Sequence, residues 1–232
     1  MTIIADLSPT MRDYLIEIYY LSEENKDQEG YVGTSALAAK MMVSAPAVNR
    51  MVSKLKELGF LIHEPYHGVK LTPEGKCGAM VKMRYQRIVE VFLIKVMGFG
   101  WHEIYEEAYR MSSALDAAVA QRMLEMTGYP TRCPHGEPIP DENGVMAEPD
   151  DTPLADMDVE DCEELEITRV RTRESDRLEY IAALGLTPGT RLQLIHKAPF
   201  SGPMQLKLGA EYRIIGHNLA EHIHVTCVKP VE

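Results

Sequence analysis

The side chains best suited to chemistry are concentrated in one short run, Ser44 to Lys54. Wound as a helix, that run places Pro46, Asn49, Arg50, Ser53 and Lys54 on a single face. Asn and Arg offer paired hydrogen-bonding groups to base edges, while Lys and Ser reach phosphate oxygens. That is the chemistry of reading double-stranded DNA. Metal chemistry has thinner support. Cys133 and His135 supply two donors with no partner pair in the chain, so a turn built by Pro134 and Gly136 is the plainer reading. His102 with Glu106, and Glu103 with Glu107, stand one helical turn apart, a spacing common among surface residues. His222 and His224 share a face if they lie in a strand, with His217 close by, and exposed strand histidines account for them as simply as a site does. No nucleophile with its base, glycine-rich phosphate loop or pair of catalytic acids stands out, so no enzyme activity is expected.

A DNA-reading face needs a scaffold, and the surrounding residues describe one. Thr34 is an N-cap for a first short helix, Ser35–Met42; Ser44 caps the next, with Pro46 in its first turn, where a missing N–H costs nothing. Val48, Met51, Val52, Leu55 and Leu58 recur at helical spacing on the opposite side, and Gly59 ends the helix. Phe60–Pro65 and Val69–Leu71 read as strands around a Tyr66-His67-Gly68 turn. The whole is a winged helix-turn-helix, with Thr34, Ser44, Pro46, Ala47, Asn49, Arg50, Lys54, His67 and Lys70 as its candidate DNA contacts. Before it, Ser8–Asn25 is predicted helical from Met11, Tyr14, Leu15 and Ile18, followed by a polar loop over 26–33. After it, Thr72-Pro73-Glu74 opens a long helix striped by Val81, Tyr85, Ile88, Phe92 and Val96 and broken at Gly98-Phe99-Gly100.

Helices over Trp101–Met111 and Ser113–Met126, ended by Gly128 and Pro130, complete a helical bundle. Such a bundle suits a homodimer, since a pseudo-palindromic operator needs two reading heads at a fixed spacing. Residues 130–161 turn to Pro, Gly and acids, as a linker or a long ordered loop. Short β-type runs follow at Leu165–Val170, Arg191–Ala198, Gln205–Leu208, Tyr212–Ile215 and His222–Val228, with a short helix near Asp176–Leu184; they suggest a small closed barrel. The expected domains are 1–72, 73–130, a loop or linker over 131–162, and 163–232. The expected class is mainly α with a small β domain.

Composition narrows the setting. The formal net charge is −11, but between Ala36 and Lys95 ten Lys/Arg face four Asp/Glu, whereas Trp101–Glu166 holds three Arg against eighteen acids. The basic excess falls on the reading head, where phosphates need it. There is no signal-like segment, and the most apolar run, Ile88–Phe99, carries Glu90 and Lys95, so a cytoplasmic protein without a membrane span is expected. The four cysteines form no CxxC pair and are expected to be reduced thiols.

Several stretches together resemble the DtxR/MntR family of iron- and manganese-dependent repressors. They are Asp13-Tyr14-Leu15-Ile16-Glu17-Ile18-Tyr19, Ser44-Ala45-Pro46-Ala47-Val48, Leu71-Thr72-Pro73-Glu74-Gly75, Cys133-Pro134-His135-Gly136-Glu137-Pro138-Ile139-Pro140, and Leu184–Gly189 with Pro199–Pro203. Their order spans nearly the whole chain. The resemblance implies a homodimeric repressor on an operator, an FeoA-type, SH3-like C-terminal barrel, and Mn2+ or Fe2+ as cofactor. It carries metal-ligand positions onto Asp13, Glu90 and Glu174. Other expected ligand positions hold Ile16, Gln86, Tyr105, Tyr109, Ser112, Ser113 and Arg177, which leaves few of the donors that ferrous or manganous ions need. Two further readings stay open: a family regulator that no longer needs metal, and an interaction protein acting through its barrel.

Overall fold

The computed structural model describes residues 7–24 and 29–228; the end of the expected first helix and residues 26–28 of the polar loop lie outside them. The chain divides into two compact units. One comprises Met1–Val89, Tyr109–Met123 and Ile139–Met146, and the other Glu90–Ala108, Leu124–Pro138 and Ala147–Glu232.

In the first unit, α1 (Pro9–Glu24) starts where Ser8 Oγ accepts the Met11 N–H at 3.4 Å. Helix α2 (Thr34–Met41) begins one residue earlier than expected. Gly33, extended at φ −67° and ψ 136°, holds the N-cap, and Thr34 becomes the first helical residue. Ser44 does occupy the N-cap of α3 (Ala45–Glu57), with no side-chain cap bond, and Pro46 sits in the first turn. Val48, Val52 and Leu55 are buried, so the apolar stripe of α3 faces the core and its polar face points away. Strands β1 (Leu61–Glu64) and β2 (Gly68–Leu71) pair antiparallel, Leu61 opposite Leu71.

The loop before α2 joins this wing. Val32 and Val69 exchange both backbone bonds, at 2.8 and 2.9 Å. This contact was invisible in the sequence because it links a lone residue to a strand. It also explains Gly68, whose φ is +110° and where a Cβ would meet Val32 O at 2.3 Å.

Helix α4 (Pro73–Lys95) is opened by Thr72, whose Oγ1 accepts the Gly75 N–H at 3.0 Å. Its expected stripe is not its most buried one. Val81, Tyr85 and Phe92 are half-buried and Val96 is 45% exposed, whereas Ala79, Met80, Met83, Val89, Val91 and Leu93 are buried with Ile88. With apolar residues on several faces, periodicity alone did not choose the inward one. Helices α5 (Ile104–Ser113) and α6 (Ala117–Met126) follow. Residues 139–146 are an ordered loop packed on α4: Arg84 donates to Pro140 O at 2.7 Å, and Asp141 Oδ1 accepts the N–H groups of Asn143 and Val145 at 2.9 and 2.8 Å.

The second unit holds an antiparallel sheet in the order β3-β8-β4-β5-β6-β7. Its strands are β3 (Thr152–Pro153), β4 (Leu165–Val170), β5 (Arg191–Lys197), β6 (Met204–Leu208), β7 (Glu211–Ile215) and β8 (Ile223–Cys227). A 3-10 turn, Leu154–Asp156, follows β3, while α7 (Ser175–Ala183) and α8 (His217–Ala220) lie between strands. Leu154, Ile167, Leu178, Ile181, Leu186, Met204, Leu206 and Ile223 form its core. Strand β3 was unexpected, being two residues inside an acidic, proline-containing run. Cys162 and Cys227 are joined as a disulfide with Cα atoms 5.8 Å apart, against the expectation of four thiols. Sixty-five residues separate them in the chain; β4–β8 pairing, with Leu165 opposite Cys227, brings them together.

Candidate nucleic-acid interface and cation sites

On α3, Asn49, Arg50, Ser53 and Lys54, with Glu57, line one shallow, open surface, and Ser44 and Pro46 are exposed at the start of the same helix. Ala47 and Thr34 are half-buried. In the wing, His67 is exposed with its Nδ1 3.3 Å from Glu64 Oε2, and Lys70 stands 5.3 Å from the centre of the Tyr31 ring. The Tyr31 hydroxyl donates to Glu64, which with His67 holds that carboxyl below its ordinary pKa. His67 and Lys70 are therefore anchored locally, while Arg50 and Lys54 stand on the outward face. Tyr66, fully exposed at φ +69° on the wing tip, was not among the candidate contacts.

The expected metal residues have different fates. Asp13, on α1, faces a buried cation. Lys82 Nζ lies 3.0 Å from Asp13 Oδ1, donates to Ser113 Oγ at 2.6 Å and Tyr109 O at 3.1 Å, and sits 4.7 Å from the Tyr109 ring centre. The Lys82 side chain is 1% exposed. Burial lowers its pKa, while the neighbouring Asp13 carboxylate works the other way. Three of these four residues occupy or adjoin positions where the resemblance expects metal donors. An ammonium already satisfies Asp13, and a second cation beside it would be repelled. The residues at this position do not fit a divalent metal. Lys82 was missed because a lysine in an amphipathic helix reads as solvent-facing.

Glu174 is the N-cap residue of α7 and pairs with Arg177 at 3.2 Å in an exposed position. Glu90 stands among ligating groups: its carboxylate, the Cys133 sulfur and a His135 ring nitrogen all lie within 4.8 Å of one another, and all three residues are buried. Sequence reasoning weighed Cys133 and His135 as a bare pair, because the third donor lies on another element. The other histidine candidates dissolve. His102 precedes α5 in a turn, so His102 and Glu106 are not one helical turn apart, and Glu103 Oε2 accepts the Gly100 N–H at 2.9 Å. His222 precedes β8 and contacts Arg177, whereas His224 is buried in β8, 3.1 Å from Asp151 Oδ1. These two histidines do not form one site.

The winged helix and its cationic outward face define a transcriptional regulator of the winged-helix class. Three family models match consecutive segments. They are the N-terminal DNA-binding domain of iron-dependent repressors over 6–69, their metal-binding and dimerisation domain over 72–141, and the FeoA domain over 152–227. The chain belongs to the DtxR/MntR family of iron- and manganese-dependent repressors. It is 28% identical over 201 residues to the diphtheria toxin repressor of Corynebacterium efficiens, covering 83% of this chain and 85% of that protein. It is 33% identical over 146 residues to the iron-dependent repressor IdeR of Mycobacterium leprae, covering 62% and 61%. A manganese-dependent transcriptional repressor in complex with manganese superposes with a TM-score of 0.80 at 26% identity, covering 94% of this chain and all of that one. These relatives are repressors, not enzymes. Among the described residues no helix is long and apolar enough to cross a membrane.

Proposed function

We propose that this chain is a cytoplasmic repressor that binds a palindromic operator as a homodimer, with α3 in the major groove and the wing on the flanking backbone. The observation carrying the reading is the outward face of Asn49, Arg50, Ser53 and Lys54, set on a helix whose other side is locked into the core. Asn49 and Arg50 read bases; Lys54 and Lys70 hold phosphates; Thr34, Ser44, Pro46, Ala47 and His67 frame the contact. Exposed Val96, Met97 and Met126, all inside the segment matched by a dimerisation model, supply apolar surface for the two-fold contact. The domain division at 1–72, 73–130 and 163–232 follows the same reading.

The family's usual primary metal position is degraded here, and Lys82 takes the ion's electrostatic part. Its ammonium ties α1, through Asp13, to the carbonyl and hydroxyl of α5. The test is fluorescence anisotropy on DNA from upstream of the protein's own coding region, at fixed salt, in chelator and then with Mn2+. Tight binding in chelator, unchanged by Mn2+, is the expected result. Binding that appears only with Mn2+ overturns the role given to Lys82.

A further inference from the structure

We propose that Cys162 and Cys227 form a reversible redox site: a small neutral peroxide closes their disulfide, and a dithiol reductant opens it. Only the supply of reductant rests on the cytoplasmic reading given above; the geometry of the pair stands within the second unit alone.

Backbone pairing, rather than the bond itself, holds the two cysteines together. Cys227 ends β8, opposite Leu165 of β4, and Cys162 lies three residues before Leu165. Glu166 stands opposite Thr226, and Val228 N–H donates to Glu164 O at 2.9 Å, so hydrogen bonding continues past Cys227. The Cα atoms are 5.8 Å apart, within the reach of a disulfide. Neither cysteine is among the buried residues of the unit's core; Cys162 packs against that core from outside. Opening the bridge therefore leaves the sheet standing and the two thiols within closing distance. That separates it from the bridges without which small, core-poor domains do not fold.

Access and charge select the reagent. Cys227 is exposed and Cys162 half-buried, so reagents meet the Cys227 sulfur first. Residues 158–164 include Asp158, Glu160, Asp161, Glu163 and Glu164. Lys197 pairs with Asp158 at 3.3 Å and Arg191 with Glu164 at 3.5 Å, which leaves the neighbourhood anionic. Such a field repels glutathione disulfide, itself an anion, and does not hinder uncharged hydrogen peroxide.

The Cys227 thiolate attacks one peroxide oxygen, the O–O bond breaks, and hydroxide leaves to become water on protonation; Cys227 is then a sulfenic acid. The Cys162 thiolate attacks that sulfur, the S–S bond forms, the S–O bond breaks and a second water departs. Two thiols and one peroxide thus give one disulfide and two waters, with two electrons passing from sulfur to oxygen. In the return step a dithiol attacks the exposed Cys227 sulfur and releases Cys162 as thiolate. The reductant's second thiol then closes on the mixed disulfide and frees Cys227.

The bond restrains the segment between the 3-10 turn and β4. That segment is otherwise anchored by a local turn, with Asp161 N–H on Asp158 O at 3.1 Å and Asp158 N–H on Asp161 Oδ2 at 2.7 Å, and by Lys197 Nζ on Met157 O at 3.1 Å. The bridge ties its far end to β8. Asp158, Val159 and Glu160 line a surface groove together with Lys197, Phe200 and His217. Oxidation fixes that wall of the groove and reduction releases it. The competing account is a permanent structural bridge.

The test uses the full chain in chelator, reduced with dithiothreitol, desalted without oxygen, and given about two equivalents of hydrogen peroxide or of glutathione disulfide. Free thiols are trapped by alkylation and mapped by mass spectrometry, and amide exchange is followed in both states. The reduced chain is expected to keep a cooperative unfolding transition. Peroxide should re-form the Cys162–Cys227 bridge, leave Cys77 and Cys133 open to alkylation after denaturation, and act at least about tenfold faster than glutathione disulfide. Cys162→Ser should halt the reaction at a Cys227 sulfenic acid that dimedone captures. Amides over 157–163 should exchange at least about tenfold more slowly in the oxidised chain, with those of β4 and β8 little changed. A bridge that resists dithiothreitol until the chain unfolds, a reduced chain without a cooperative transition, peroxide oxidation that does not pair these two sulfurs, or equal exchange in both states overturns the proposal. Because no DNA is present, every outcome is independent of the operator test.

Discussion

Removing Asp13 is the perturbation that most directly probes the buried ammonium. Lys82 is 1% exposed and Asp13 18%, so Asp13→Ala leaves a desolvated charge without its ion-pair partner, touching the Ser113 hydroxyl, the Tyr109 carbonyl and the Tyr109 ring, with Glu17 as the remaining nearby anion. Breaking one side of a buried pair costs about 3–5 kcal/mol, and the partial exposure of Asp13 places this case near the lower end, about 3 kcal/mol. Lys82→Met keeps the volume and removes the charge, so Asp13→Ala/Lys82→Met should return to within about 1 kcal/mol of wild type, leaving a coupling of at least roughly 2 kcal/mol, larger by whatever Lys82→Met loses alone. There is also a pH signature. Burial holds the folded pKa of Lys82 below its unfolded value, so between the two the unfolded chain binds more protons and stability rises with pH. The Asp13→Ala defect should therefore shrink in alkaline buffer. Urea unfolding of the four variants at neutral and alkaline pH measures all of this. A loss under about 1 kcal/mol in Asp13→Ala, or a double variant no better than Asp13→Ala, refutes the argument.

Four more outcomes follow from named contacts. Arg50→Ala with Lys54→Ala should abolish operator binding in anisotropy, while Lys54→Ala alone lowers the salt slope by about 1; normal affinity in the double variant would remove α3 from the groove. Gly136→Ala, strained at φ +84° and pressed against Thr168 O, should destabilise the second unit by at least about 2 kcal/mol in thermal unfolding. Reducing the Cys162–Cys227 bridge should destabilise the β domain by up to roughly 4 kcal/mol in urea unfolding, from the loop it closes. Acid should weaken the β domain in two steps, followed by circular dichroism. Burial, with Arg169, holds His224 below its ordinary pKa, so the unfolded chain gains that proton first as pH falls below about 6.5. Burial opposes Asp151, but Arg169 and Thr168 still hold its carboxyl low, so its contribution is present above about pH 4 and lost below. A flat profile down to about pH 4 would contradict the first step.

The local order of this chain was legible residue by residue. Caps, prolines and glycines mark the ends of α1 to α7 within a few positions, because capping and backbone freedom act between near neighbours. The spacing of Val48, Val52 and Leu55 fixed which face of α3 turns outward, and with it the candidate reading surface. Tertiary structure alone decided the cation chemistry. Lys82 meets Asp13 and Ser113 across gaps of 69 and 31 residues, and Glu90 meets His135 across 45, separations at which no periodicity speaks. The sequence carried the donors and the losses; only packing showed that one cation position is filled by the protein's own ammonium and that three ligating side chains converge elsewhere. Burial is the physical reason, since it turns an ordinary lysine, cysteine and histidine into groups that must find partners in the interior.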